Sequence, residues 1–281
     1  MTEDTAGLGW VADAPPGDLD AARRAIRDGE AESPENWPAR AVGAGVVADE
    51  DEYYEWLHEA TVEAARAEVR ERSRADDQQL IHAVRAMADL ADTSNELAER
   101  VAEWGSSLFD ESGTGVEYAR DIAERDPEDA TEERVVSLAT RVRDLADERV
   151  ALESFVESRT PVVAPNLSAL AGPLLAARLI EQAGSLESLA KMPSGTVQVL
   201  GAEDALFAHL RGHAPSPKHG VIYTHEYVRG TRQDERGSAA RAVAGKLAIA
   251  ARIDHYSGDL RPELERELDE RIERIRSRGD Q

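Results

Sequence analysis

The chain has 281 residues, of which 41% are apolar, 5% aromatic and 32% charged. That is enough for two or three modules, and it favours helix bundles with large solvated faces over a β-sandwich. The absence of cysteine excludes disulfides, zinc–thiolate sites and thiol catalysis, and no run approaches the ~18 apolar residues needed to cross a bilayer. The net charge of −23 taken alone argues against nucleic acid, because a polyanion repels a polyanion.

The distribution of charge removes that objection for one segment. Residues 1–159 carry 17 basic and 40 acidic side chains, a net of −23. Residues 160–258 carry 10 and 8, a net of +2, and residues 259–281 carry 6 and 8, a net of −2. Only three of the 33 basic residues are lysine (Lys191, Lys218 and Lys246), and all lie in the near-neutral segment. The first residues, MTEDTAG, lack the basic and apolar regions of a secretory signal, so a cytoplasmic protein with no membrane partner is expected.

In chain order, residues 1–50 are rich in Ala, Gly, Pro and Asp, punctuated by Pro15-Pro16 and Trp37-Pro38. A short helix is expected at Leu19–Asp28 and a short strand at Ala44–Ala48, as a small α/β module or a partly disordered segment. Asp51–Arg74 reads as helix. Leu80, Met87, Ser94 and Val101 then recur every seven residues, with Ala83, Leu90, Leu97 and Trp104 three residues after each. This 3-4 spacing is a coiled-coil seam with Ser94 as a polar break. Gly105, Gly113 and Gly115 end the helix, and Val116–Glu124 predicts a short helix in the connection. A second seam follows at Val135, Leu138, Val142, Leu145, Arg149, Leu152 and Val156. Two such helices joined by a loop should pair antiparallel, as an exposed rod or as part of an ordinary bundle.

Pro161 and Pro165 are expected to close that rod. Asn166 reads as an N-cap for a helix over Leu167–Ala183 with Gly184 just past its end. Ser185–Lys191, stopped by Pro193, and Ala202–Arg211 read as further helices. Gly220–Tyr223 is extended in character. Arg232–Ile253 reads as a long Ala-rich helix whose Gly237 and Gly245 each cost about 1 kcal/mol, pointing to close helix approach or a passing RNA backbone. The tail, Asp259–Arg278, is an arginine/glutamate helix with Leu260, Leu264, Leu268, Ile272 and Ile275 on one side. The fold class is therefore mainly α. Its modules are a small N-terminal α/β module at 1–74, an antiparallel coiled-coil hairpin at 75–160, an all-helical domain at 161–258, and a charged helix at 259–281.

Six blocks carry a resemblance: Ala164-Pro-Asn-Leu-Ser-Ala-Leu-Ala171; Ala183-Gly-Ser-Leu186; Leu189-Ala-Lys-Met-Pro193; Val197-Gln-Val-Leu-Gly-Ala-Glu203; Pro217-Lys-His-Gly-Val-Ile-Tyr223; and Gly245-Lys-Leu-Ala-Ile-Ala-Ala-Arg-Ile-Asp254 with Tyr256-Ser-Gly258. Together they closely resemble the Nop domain of the archaeal scaffold proteins of box C/D ribonucleoproteins, and Ile81–Trp104 with Val116–Arg120 resembles the family's coiled coil. The lysine-poor, acid-rich composition resembles proteins of salt-loving archaea. The resemblance implies an RNA-binding scaffold and not an enzyme. Such proteins bind a kink-turn guide RNA as a composite with the kink-turn protein already seated on it. They dimerise through the coiled coil, whose seam here is Leu80, Met87, Leu90, Leu97, Val101, Val135, Leu138, Val142, Leu145 and Leu152. They also hold fibrillarin on their N-terminal domain. That partner binds the S-adenosylmethionine used for 2′-O-methylation, so the scaffold carries no cofactor of its own.

On this reading Lys191, Lys218 and Lys246 are compact cations for phosphate oxygens. His219 stacks on a base, donates to phosphate, or is a buried core histidine. Thr196 and Gln198 hydrogen-bond RNA or, for Thr196, cap a helix. Arg241 and Arg252, eleven residues apart, share nearly one face of a helix, with Arg236 upstream. Three positions depart from the family's pattern: Asp204 and Ala208 stand where it has lysine and arginine, and Ser238 where it has a basic residue. The N-terminal region is also shorter than the family's methyltransferase-binding domain. An enzyme is the rival class. His209 and His213 are spaced i, i+4, but no HExxH pattern surrounds them. Gly237–Leu247 contains Gly-Lys, but Ala240 and Leu247 refuse a P-loop. A coiled-coil adaptor without RNA is the other alternative.

Overall fold

The computed structural model describes residues 14, 16–29 and 35–278, which fall into two compact units, 1–75 and 76–281. Residues 1–13 and Pro15 lie outside the described residues, and with them part of the Pro15-Pro16 pair. The described residues form helices and turns with no strand.

The first unit holds α1 (Leu19–Asp28), α2 (Trp37–Gly43) and α3 (Glu50–Ser73). Each begins with an acceptor side chain on a backbone N–H of its first turn: Asp18 on Ala21, Asn36 on Ala39 and Asp49 on Glu52. Tyr53 and Trp56 are buried against α2 and α1 respectively. The strand expected at Ala44–Ala48 is not there. Val46 N–H donates to Ala41 O and Gly45 N–H to Val42 O, with Gly45 at φ +71°, so this stretch is the left-handed stop of α2. Asp49 then caps α3, while Glu52 accepts from the Ala48 N–H. Apolar residues that looked like a strand are helix punctuation.

The second unit begins with the helical hairpin. α4 (Asp76–Gly105) packs chiefly on α6 (Ala130–Val163), and α5 (Gly115–Ala123) lies against both. The pairing is antiparallel: Asp76 at the start of α4 meets Arg159 near the end of α6, and Ala98 and Val101 meet Val135, Ala139 and Val142. Among the seam residues Leu80, Val101, Val135 and Val142 are buried, whereas Met87, Leu90, Leu97, Leu138, Leu145 and Leu152 are half-buried. Ser94 is buried, and its hydroxyl is satisfied by the Ala91 carbonyl one turn back. Pro161 does not close the rod, because α6 continues through it to Val163. A proline this near a helix end removes one hydrogen bond, to the carbonyl of exposed Glu157.

The body that follows is built from α7 (Pro165–Ala171), α8 (Pro173–Ala183), α9 (Leu186–Lys191), α10 (Ser194–Val199), α11 (Glu203–Leu210), a 3-10 turn (Val221–Thr224), α12 (Glu226–Arg229), α13 (Arg236–Tyr256) and α14 (Glu263–Arg278). The single helix expected over Leu167–Ala183 is two, because Pro173 lacks an N–H and disfavours helical backbone at Gly172, whose φ is +75°. Asn166 is not the cap: Ala164 holds that place with Pro165 at the first helical position. Asn166 instead reaches the far end of α13. Its side-chain amide donates to Asp254 Oδ1 and to the Asp259 carbonyl, and accepts from the Arg261 N–H. Asp254 also receives the backbone N–H groups of Asn166 and Leu167. α13 starts at Arg236, four residues later than expected, because residues 233–235 form turns. It is the central helix, with Ala239, Ala240, Val243, Ala244, Leu247, Ala248, Ala250 and Ala251 buried. α14 adds Leu264, Leu268, Ile272 and Ile275 to the same core; Leu260, before the helix, is exposed.

Candidate nucleic-acid interface

The interface is organised by the link between α10 and α13. Gly220 lies so close to α10 that a Cβ on it would stand 1.9 Å from the Leu200 carbonyl oxygen, so no other residue fits. The contact lets Gly220 N–H donate to Gln198 O and Val221 N–H to Leu200 O, satisfying carbonyls at the end of α10. Gln198 closes the strap from its side chain, its amide donating to the Lys218 carbonyl at 2.8 Å. Gln198 thus spends a donor on the fold and holds the Lys218-His219 turn in place.

Gly220–Tyr223 is not extended. The 3-10 turn brings Tyr223 back beneath His219, and the two rings stack with centroids 4.6 Å apart and planes 26° from parallel. The Arg236 guanidinium lies over the Tyr223 ring at 5.4 Å. Burial, then the positive charges of Arg236 and Lys218, hold the His219 imidazole below its usual pKa and favour its neutral form. His219 is half-buried, which suits a stacking surface better than a cationic phosphate clamp. Tyr223 was not among the residues singled out from sequence. Its signal was the i, i+4 spacing from His219, invisible while the segment read as extended.

Beside this stack lies an open groove of about 490 Å³, lined among others by Gln198, Lys218, Asp234, Gly237, Ser238 and Arg241. Lys218 and Arg241 supply its positive charge. Asp234 is engaged by Arg232. Gly195 contributes to the lining, whereas neighbouring Thr196 is exposed on α10 outside it.

The remaining candidates lie elsewhere. Arg252 donates to the carbonyls of Ala190 at 3.1 Å and Met192 at 3.2 Å, capping the end of α9. Lys191, in the last turn of α9, pairs with Glu187 one turn back. Lys246 is only 20% exposed and is paired with Glu267 of α14. The structure therefore brings together Gln198, Lys218, His219, Arg236 and Arg241, sets Lys191 with Arg252 apart, and leaves Lys246 outside the Lys218 groove. Of the three departures, Ser238 lies in the groove, whereas Asp204 and Ala208 sit on α11, a helix with no buried residue. A ring nitrogen of His209 faces the Ala214 carbonyl at 2.9 Å, and among the described residues no group of three or more His, Asp or Glu side chains is placed to hold a metal ion.

A family model described as "Nop: snoRNA binding domain, fibrillarin" matches residues 44–276. An uncharacterized NOP5 family protein of Methanocaldococcus jannaschii is 35% identical over 80% of this chain and 64% of its own length. Nucleolar protein 58 of Schizosaccharomyces pombe is 35% identical over 64% of this chain and 43% of its own. The chain thus spans less than two thirds of the curated relatives it matches. A chain in the crystal structure of a fibrillarin/Nop5p complex superposes with a TM-score of 0.54 at 27% identity, covering 90% of this chain and 91% of that one.

Proposed function

This chain belongs to the Nop family, and from that membership we propose that it is the RNA-binding scaffold of a box C/D ribonucleoprotein. It bridges a kink-turn guide RNA, with its seated kink-turn protein, to fibrillarin for guide-directed 2′-O-methylation. It contributes no catalytic residue of its own, and S-adenosylmethionine belongs to the methyltransferase. Residues 161–258 meet the ribonucleoprotein, residues 1–74 hold fibrillarin, and the hairpin at 75–160 pairs two copies of the chain. Because the seam residues already pack within one hairpin, the second copy docks on their half-buried edges. The complex works in the cytoplasm of a salt-loving archaeon.

The observation that carries this reading is the Lys218 groove beside the His219–Tyr223 stack, in the one segment without a net negative charge of a chain of charge −23. Cations position a phosphate backbone, and a neutral stacked ring offers its outer face to an unpaired base. The test is binding to a kink-turn RNA with and without the kink-turn protein. The scaffold should bind only the composite, and K218A/H219A should weaken binding at least tenfold. Wild-type affinity in that variant would overturn the assigned face, failure to bind in both cases would leave only a coiled-coil adaptor, and methyl transfer by the isolated chain would refute the non-catalytic role.

A further inference from the structure

We propose that the C-terminal helix α14 extends the RNA face, with Arg271 and Arg274 forming, together with Arg241 and Lys246 of α13, a second groove for the phosphate backbone. This rests on the RNA-binding reading above and names residues outside the segment that carries it.

Two grooves run along α13, and Arg241 lines both. The second, of about 460 Å³, lies between α13 and α14 and is open to solvent. Its cations are Arg241, Lys246, Arg271 and Arg274; its carboxylates are Glu267 and Glu270. Four positive charges against two negative is an unusual local balance in a chain of net −23. One pair is already committed, because Lys246 holds Glu267 and its hydrogen bond and charge keep that carboxyl below the usual carboxylate range; Arg241, Arg271 and Arg274 remain against Glu270.

The arginines of α14 divide by flank. Leu264, Leu268, Ile272 and Ile275 face the core. On one side of that stripe Asp269 accepts from the Tyr227 hydroxyl, and Arg276 reaches the Thr231 hydroxyl and lies over the Tyr227 ring. That flank fastens the helix. Arg271 and Arg274 stand on the other flank, toward the groove. Arg274 donates to the Glu270 carbonyl through its Nε, and the Arg271 side chain makes no hydrogen bond or ion pair among the described residues.

Gly245 lies in the same groove. A glycine inside a helix costs about 1 kcal/mol relative to alanine. A Cβ at this position would meet nothing within 4 Å, so no packing inside the chain calls for glycine there. A bare backbone on the groove wall lets a phosphodiester chain come closer than a side chain would permit. Gly237 occupies the equivalent place in the first groove. The two grooves therefore repeat one plan, with a glycine in the wall and cations at the rim, joined at Arg241. The Arg271–Arg274 rim adds positive charge at a different place from the positions where Asp204, Ala208 and Ser238 withhold it.

The experiment measures binding of the full chain to a kink-turn RNA carrying its kink-turn protein, across a series of KCl concentrations. R271A/R274A should weaken binding about tenfold at the lowest salt and make the slope of log K against log salt shallower by roughly one to two, the release expected for two lost phosphate contacts. E270Q should tighten binding, because it removes the uncommitted carboxylate from the groove; a merely structural helix would not show that gain. Melting curves of R271A/R274A should match wild type, since both positions are exposed. If R241A weakens binding while R271A/R274A and E270Q keep wild-type affinity and slope, the second groove is refuted and the scaffold reading stands. If the wild-type chain does not bind the composite, both fall together.

Discussion

His225 shows how a single side chain ties the body together. Its Nδ1 accepts from the Tyr227 N–H at 3.1 Å, capping α12, and its Nε2 lies 2.9 Å from the Leu170 carbonyl at the end of α7. With Nδ1 an acceptor, the proton of the neutral ring sits on Nε2 and is donated to Leu170. Protonating Nδ1 would destroy the cap. Burial accordingly lowers the pKa of His225, against weaker upward pulls from the Leu170 bond and Glu226. The unfolded chain then binds the proton more readily than the folded one. Stability falls as pH drops below the unfolded value of about 6.5 and levels off beneath the lowered folded value. In urea denaturation at pH 7.5 and 5.5, H225N should keep a cap and show a smaller acid-induced drop in midpoint than wild type. Equal drops would remove His225 from the account. None of this was legible in sequence, where a histidine between Thr224 and Glu226 belonged to no pattern. Asn166 was legible as a special residue but not for its use: cap chemistry was visible, whereas its Asp254 partner lies 88 positions away.

At the scale of elements, periodicity carried most of the information. The 3-4 seams of α4 and α6 and the apolar side of α14 follow from local spacing, and each buries residues the spacing indicated. Val142 is buried in the hairpin core shared by α4, α5 and α6, so V142A should cost roughly 2 kcal/mol in denaturant unfolding, from lost burial and the cavity left behind. Exposed Val150, on the same helix, should tolerate alanine within about 0.5 kcal/mol. What spacing did not reveal were segments set by partners distant in sequence or by punctuation. The 3-10 turn at Val221–Thr224 follows from Gly220 being pressed against Leu200, and apolar Ala44–Ala48 follows from the stop of α2. The candidate interface was half legible for the same reason. Lys218, His219, Arg236 and Arg241 do converge, whereas Tyr223 and the bound states of Lys246 and Arg252 depend on tertiary contacts.

For the whole molecule, charge sets opposite demands on folding and on binding. The carboxylate excess of residues 1–159 repels itself, and salt shortens the reach of that repulsion from about 8 Å at 0.15 M to about 3 Å at 1 M. Raising KCl from 0.1 to 2 M should therefore raise the melting temperature while weakening RNA binding. A melting temperature that falls with salt would contradict this. The continuity of α6 through Pro161 has a separate, geometric consequence. A helix of 34 residues is a strut of about 51 Å whose last turns pack on α7 and α8 of the body. Anything gripping the hairpin therefore grips the body by a rigid handle. One residue inserted in that strut would turn its far end by about 100°. Seven residues added to each arm would keep the seam in phase and lengthen the reach by about 10 Å. The length of the hairpin is thus a gauge, graduated in heptads, for how far apart the things at its two ends are held.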